Sequence, residues 1–154
     1  MRLTRVTGAG VEAEFHQRVE TASDLAEAIT PDVPEQLSIS STDEDGHPTT
    51  LADVLNQVDE NPLLGALIAW REVSVAITGA ATSTGVEGRT ERAILRSLRD
   101  RGTITADVLA LYERLSKIRN EIVHSRPTVT QDETKEFVTA AWRLAAELTR
   151  ISPC

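Results

Sequence analysis

The chain has one cysteine, Cys154, at its last position, and aromatic residues make up only 3% of it. A single cysteine excludes an intrachain disulfide and a thiolate metal cluster, and a reducing, cytoplasmic compartment is the expectation. With so few aromatics, a core must be built from Leu, Ile, Val and Ala, which suits helix packed on helix. No basic excess is present: the formal net charge is −8. That argues against a general nucleic-acid binder. No apolar stretch approaches the roughly 20 residues that span a bilayer, and no apolar run follows Met1 as in a signal peptide. Phosphate-loop patterns are missing too, since GAGVEA and STGVEG lack the lysine and the flanking residues. Three scattered histidines without a cysteine pair make no structural zinc site, and no cofactor or metal is expected.

What is present is a string of amphipathic segments, in a chain whose hydrophobic content of 40% supports one core. Residues 2–15 alternate loosely around Gly8-Ala9-Gly10, which predicts two short strands and a turn. Residues 16–29 read as a short helix with Val19, Leu25, Ala26 and Ile29 apolar. Together, residues 1–29 form an expected α/β or irregular N-terminal appendage. Segment 30–50 holds five acids and no Lys or Arg, and it reads as a mobile linker or long loop.

The remainder, residues 51–152, predicts an all-α, antiparallel helical bundle with short connections. Thr50 caps a helix over 51–59, with Leu51, Val54, Leu55 and Val58 on one face. Asn61-Pro62 starts a helix over 62–81 that is apolar nearly all round and belongs in the middle, ended by Gly79 and the STGVEG run. Thr90 caps a helix over 91–101, stopped by Gly102. Its Ile94, Leu95 and Leu98 face inward, and Arg89, Arg92, Arg96 and Arg99 repeat on another face. Thr105 opens a helix whose Val108, Leu111, Leu115, Ile118 and Ile122 repeat every three or four positions. Pro127 forbids its continuation. Thr130 and Glu133 form a capping box for a last helix that buries Phe137, Ala141, Leu144, Leu148 and Ile151.

Chemistry concentrates in KIRNEIVHSRP, residues 117–127. Charge is local here: segment 89–126 holds nine Lys/Arg against five Asp/Glu. Glu113, Lys117, Asn120 and His124 share the stripe opposite the apolar one. Arg119 lies about 140° from His124 on an ideal helix. The two meet at one phosphate only if the helix loosens near Val123 or a second chain completes the site. An ordinary reading competes, because a histidine in a last helical turn gains from the helix dipole, and Arg-x4-His is too short to be informative alone.

Context adds to the spacing. LYERLSKIRNEIVHS, a short turn and a capped helix ending ELTRI resemble the HEPN superfamily. The segment ENPLLGALIAWREVSVAI resembles the apolar second helix of HEPN-like bacterial proteins. The family signature, Arg-x4–6-His, often with a polar residue after the arginine, matches Arg119, Asn120 and His124. The resemblance covers about residues 50–152. It implies a homodimer with the motifs of both chains near the two-fold axis, and metal-independent endoribonuclease activity in toxin, defence or RNA-processing systems, with an antitoxin or other protein as partner. Other members are inactive. The tyrosine that is nucleotidylated in some HEPN toxins would fall two residues after the histidine, where Arg126 stands, so that control is not expected.

The residue types fit such chemistry. A histidine with a pKa near the working pH can take a proton from a 2′-OH or give one to the leaving oxygen. An arginine can hold the phosphate and stabilise the transition state, and Asn120 could position His124 or a phosphate oxygen. Two chains supply two histidines, a base and an acid. RNA contacts are expected from Arg92, Arg96, Arg99 and Arg126, although an arginine stripe is more often a solvated face. Glu72, on an apolar helix, needs a partner; a rim salt bridge suits it better than orienting Arg119. Trp70 and Trp142 read as core, Tyr112 as packing, and His16 and His47 are assigned nothing. The alternatives are a non-catalytic HEPN-like dimerisation or interaction module, favoured by the acidic balance, and a nucleotide-binding regulator using Arg119 for phosphate.

Overall fold

The computed structural model describes residues 3–30, 50–124 and 129–151, with side chains described from Gly10 onward apart from Val11. Arg126, His47 and the interior of the 30–50 segment therefore lie outside the described residues. Six helices run in the order α1 (Leu3–Ile29), α2 (Leu51–Glu60), α3 (Pro62–Thr84), α4 (Glu91–Asp100), α5 (Ala106–His124) and α6 (Gln131–Thr149), and among the described residues there is no strand. The fold is the all-α bundle that the periodicity predicts.

The N-terminal expectation is corrected. Residues 3–29 form one continuous helix, with no hairpin around Gly8-Ala9-Gly10. The physical reason lies downstream of the glycines. Phe15, Val19, Ala22 and Ala26 recur at helical spacing, are buried, and join the main core. Burying that stripe outweighs the poor helix propensity of two glycines, about 1 kcal/mol each. The small Ala22 and Ala26 let α1 approach α6 and α5, against both of which it packs. Its end is tied down as well. The Arg143 guanidinium, on α6, donates to the Thr30 carbonyl, and the Thr30 hydroxyl lies 3.4 Å from the Arg143 carbonyl and from Glu147 Oε2. Residues 3–30 are thus packed into the bundle rather than set apart as an appendage.

Helix starts follow the sequence. Thr50 and Asp53 form a capping box at α2, as Thr130 and Glu133 do at α6. Asn61 accepts from the Leu64 N–H at 3.2 Å, with Pro62 behind it, at the start of α3. Thr90 caps α4, and the Thr105 hydroxyl accepts from the Val108 N–H at 3.3 Å. One stop differs: α3 runs through Gly79 to Thr84. Gly85 ends it with φ of 73°, a left-handed conformation that glycine adopts without a Cβ clash. The hydroxyls of Thr82 and Thr84 bond back to carbonyls one turn earlier, so the last turns stay satisfied past the glycine.

α6 is the hub and packs against α3, α1, α2 and α5, most extensively against α3. At Gly65 on α3 a Cβ would overlap Val58 of α2, so this glycine lets the two helices touch. α3 also corrects the reading that no segment is long and apolar enough for a bilayer: by length and composition it is, and half of that stretch is buried inside the bundle. Burial of Ala69, Val73, Ile77 and Ala80 accounts for its composition as a core helix.

Candidate functional site

α5 positions the motif. Val108, Leu111, Leu115, Ile118 and Ile122 are all buried, as their spacing requires. That burial fixes the rotation of the helix, and the other faces follow. Lys117, Asn120 and His124 are exposed, with Glu113 partly exposed on the same stripe. The helix does not loosen near Val123: it continues through His124, which occupies its last turn. Arg119 and His124 therefore keep their separate faces in one chain.

Arg119 turns toward α3. Its guanidinium carbon lies 5.6 Å from the centre of the Trp70 ring. Trp70 in turn stacks on Tyr112 at 5.5 Å and on Phe137 at 6.2 Å. Three of the chain's five aromatics are thus gathered in one place, where α3, α5 and α6 meet, and Arg119 lies over the Trp70 ring. A cation over an indole face is attracted by the ring quadrupole. The Arg119 Nε is buried without a hydrogen-bond partner, and among the described residues no carboxylate pairs with this arginine. No hydrogen bond or ion pair joins it to Glu72, which is buried on α3. Beside the stack, the Tyr112 hydroxyl donates to Glu91 Oε1 at 2.9 Å. Burial, then that bond, pushes the Tyr112 pKa well above its ordinary value.

The arginines of α4, and Arg89 just before it, stand where the sequence places them. Arg89, Arg92, Arg96 and Arg99 are exposed. Arg92 lies 3.7 Å from Glu113 of α5, and Arg99 lies 3.2 Å from the neighbouring Asp100. Two of the four are therefore partly neutralised by nearby acids. Arg101, just past α4, donates to the Thr84 carbonyl at 3.1 Å and joins the ends of α4 and α3.

A second charged cluster went unread in the sequence. His16 on α1 bridges Glu20 at 3.0 Å and Glu133 at 3.4 Å. Glu133 is the residue whose other carboxylate oxygen caps the Thr130 N–H at 2.9 Å, so the histidine reaches into the α6 capping box. Attraction to Glu20 raises the His16 pKa, burial opposes it, and the bonds to Glu20 and the nearby Glu133 add to the rise. Nearby Glu136 is also raised, chiefly by burial, and its Oε2 has no hydrogen-bond partner. Two residues on, Arg18 faces another way and pairs with Glu121 of α5. Nothing in the local sequence pairs residue 16 with residue 133; only the docking of α1 does so.

At the end of the bundle that carries the α5 C-terminal turn, a cavity of about 330 Å³ is lined by Asn61, Pro62, Leu63, Ile122, Val129 and Thr134. It places the start of α3 beside the His124 end of α5. No family model, curated protein or solved structure matches the chain.

Proposed function

We propose that this is a HEPN-like domain acting as a homodimeric, metal-independent endoribonuclease of a defence or toxin-type system. The observation that carries the reading is the state of Arg119. Its guanidinium is held in place by Trp70 while no carboxylate among the described residues neutralises it. A fixed, uncompensated cation suits a phosphate oxygen. One face away, Asn120 and His124 are exposed, and an exposed imidazole can exchange protons with a bound ribose or leaving group. Because Arg119 and His124 diverge within one chain, the site needs a second copy, whose motif would supply the facing histidine. The exposed α4 arginines would then lengthen the contact to the RNA backbone.

The chemistry is attack of the 2′-OH on the adjacent phosphorus. One His124 removes the hydroxyl proton, the other protonates the departing 5′-oxygen, and Arg119 stabilises the charge on the phosphorane. The test is purified wild type against His124→Ala on a mixed single-stranded RNA pool. His124→Ala is expected to abolish cleavage with helicity unchanged, and Arg119→Ala to lower the rate about 10²–10³-fold. EDTA has no effect, and products end in a 2′,3′-cyclic phosphate. Equal cleavage by wild type and His124→Ala, or none by either, sinks the reading. The packing of Arg119 on Trp70 then favours a non-catalytic interaction module in which that arginine is structural.

A further inference from the structure

Among the described residues the exposed large hydrophobics are Leu64, Leu67 and Val75, at 43%, 42% and 46% exposure, and all three lie on α3. Scattered exposed leucines mean little, but a cluster does. Leu64 and Leu67 are one turn apart, and Leu63 and Ile68 beside them are only partly buried. Four large aliphatic side chains therefore break the surface within six residues. The patch stands on a rigid corner, because Asn61 caps α3 and Gly65 brings α3 into contact with Val58 of α2. Its surroundings carry opposite charges at the two ends. Glu60, the last residue of α2, is exposed on one side, and Arg71, one turn beyond Leu67, is exposed on the other. Neither forms an ion pair among the described residues.

This pattern is self-complementary. We propose that the N-terminal half of α3 is the surface on which a second copy of the chain docks, antiparallel, about a two-fold axis passing between Leu64 and Leu67. In that register Leu64 of each copy lies opposite Leu67 of the other, and Leu63 opposite Ile68. Each Arg71 approaches the other copy's Glu60, while the two Arg71 side chains sit about 16 Å apart along the helix direction. A two-fold interface uses the same patch twice, so both an apolar centre and opposite charges at its ends are what it requires. Four aliphatic residues form only the middle of the roughly 800 Å² that each partner of a standard interface buries. The association is accordingly weak and concentration-dependent.

The placement has a consequence for the motif. Leu63 lines the same cavity as Ile122, so the face lies at the end of the bundle where α5 finishes with His124. Docking there brings the two His124-bearing ends toward the two-fold axis, pointing opposite ways along the helix direction. The inference deepens the ribonuclease reading by naming the surface that assembles its site, and it stands without the chemistry.

The test is sedimentation velocity across the micromolar range, with RNA cleavage assayed on the same samples. Wild type is expected to move from the 16.8 kDa of one chain toward twice that mass. Leu64→Glu with Leu67→Glu, both on exposed positions, keeps the helical circular dichroism and stays monomeric. Arg71→Glu alone and Glu60→Arg alone each weaken the dimer, and the two together restore it. That rescue distinguishes a self-paired face from one that simply repels charge. A wild type that stays monomeric throughout overturns the proposal, as does a dimer untouched by the two leucine substitutions. A double charge swap that fails to restore association overturns the register. A dimer that behaves as expected but cleaves no RNA refutes the ribonuclease reading and leaves the docking face intact.

Discussion

α5 is held by two seams of opposite character. Toward α3 and α6 it presents Tyr112, which stacks on Trp70, and Arg119, which covers the same ring. Toward α1 it presents Glu121, paired with Arg18, both about one-third exposed. The first seam is mostly aromatic and buried. The second closes at the surface with a pair of opposite charges. Apolar burial and ring stacking contribute in proportion to area removed from water. Exposed ion pairs contribute about 0–1 kcal/mol. The contrast teaches that one amphipathic helix can be fixed in rotation by one side and merely steered by the other. The motif face, which belongs to neither seam, takes its orientation from the first.

The contrast breaks most visibly at Trp70. Trp70→Ala removes the ring shared by Tyr112, Phe137 and Arg119, and is expected to cost about 3–5 kcal/mol, measured by chemical unfolding. A loss below about 1 kcal/mol would show that the aromatic seam does not carry the helix. A smaller effect comes from Tyr112→Phe, which keeps the ring and deletes the bond to Glu91. About 1 kcal/mol is expected, and an unchanged midpoint would assign Tyr112 to packing alone.

The smallest effect sits at the surface, in the His16 cluster. His16 is raised above its ordinary 6.5, first by Glu20. A raised histidine contributes stability that is fully present below its unfolded pKa and is lost as pH rises through the folded one. Glu136, raised by burial from its ordinary 4.5, has the same sign at lower pH. NMR titration of the His16 ring should give a pKa above 6.5, and Glu20→Gln should bring it back down. Amide exchange in α1 should quicken relative to α6 as pH passes above that value. A His16 pKa at or below 6.5 contradicts the bridging geometry.

Much of this was legible in the residues. Five helices, α2 to α6, follow from apolar repeats that a cap or a glycine bounds: Thr50, Asn61, Thr90, Thr105 and Thr130 each open one. Helix periodicity also placed Asn120 and His124 on one exposed face. α1 was not legible, because its glycines mimic a turn and its apolar stripe makes sense only once α6 is there to receive it. The same gap hid the His16–Glu133 contact. Nor could spacing tell that Arg119 rests on Trp70, since the two are joined by packing between helices and not by any local pattern. Gly79 misled in the opposite direction: a glycine inside a helix stops it only if the following residues gain from a left-handed turn, and here that residue is Gly85.

The tie between Thr30 and Arg143 spans 113 positions of the chain, and its consequence is one of timing. During synthesis the first helix leaves the ribosome long before the surface that receives it has been made. Its stripe of Phe15, Val19, Ala22 and Ala26 must wait for its main partner until α6 emerges. Contacts between segments so far apart are the last to be rewarded as a chain organises. α1, made before the helix that receives it, is thus among the last elements to find its place. Until then the growing chain carries that uncovered stripe, which cellular chaperones are suited to shield.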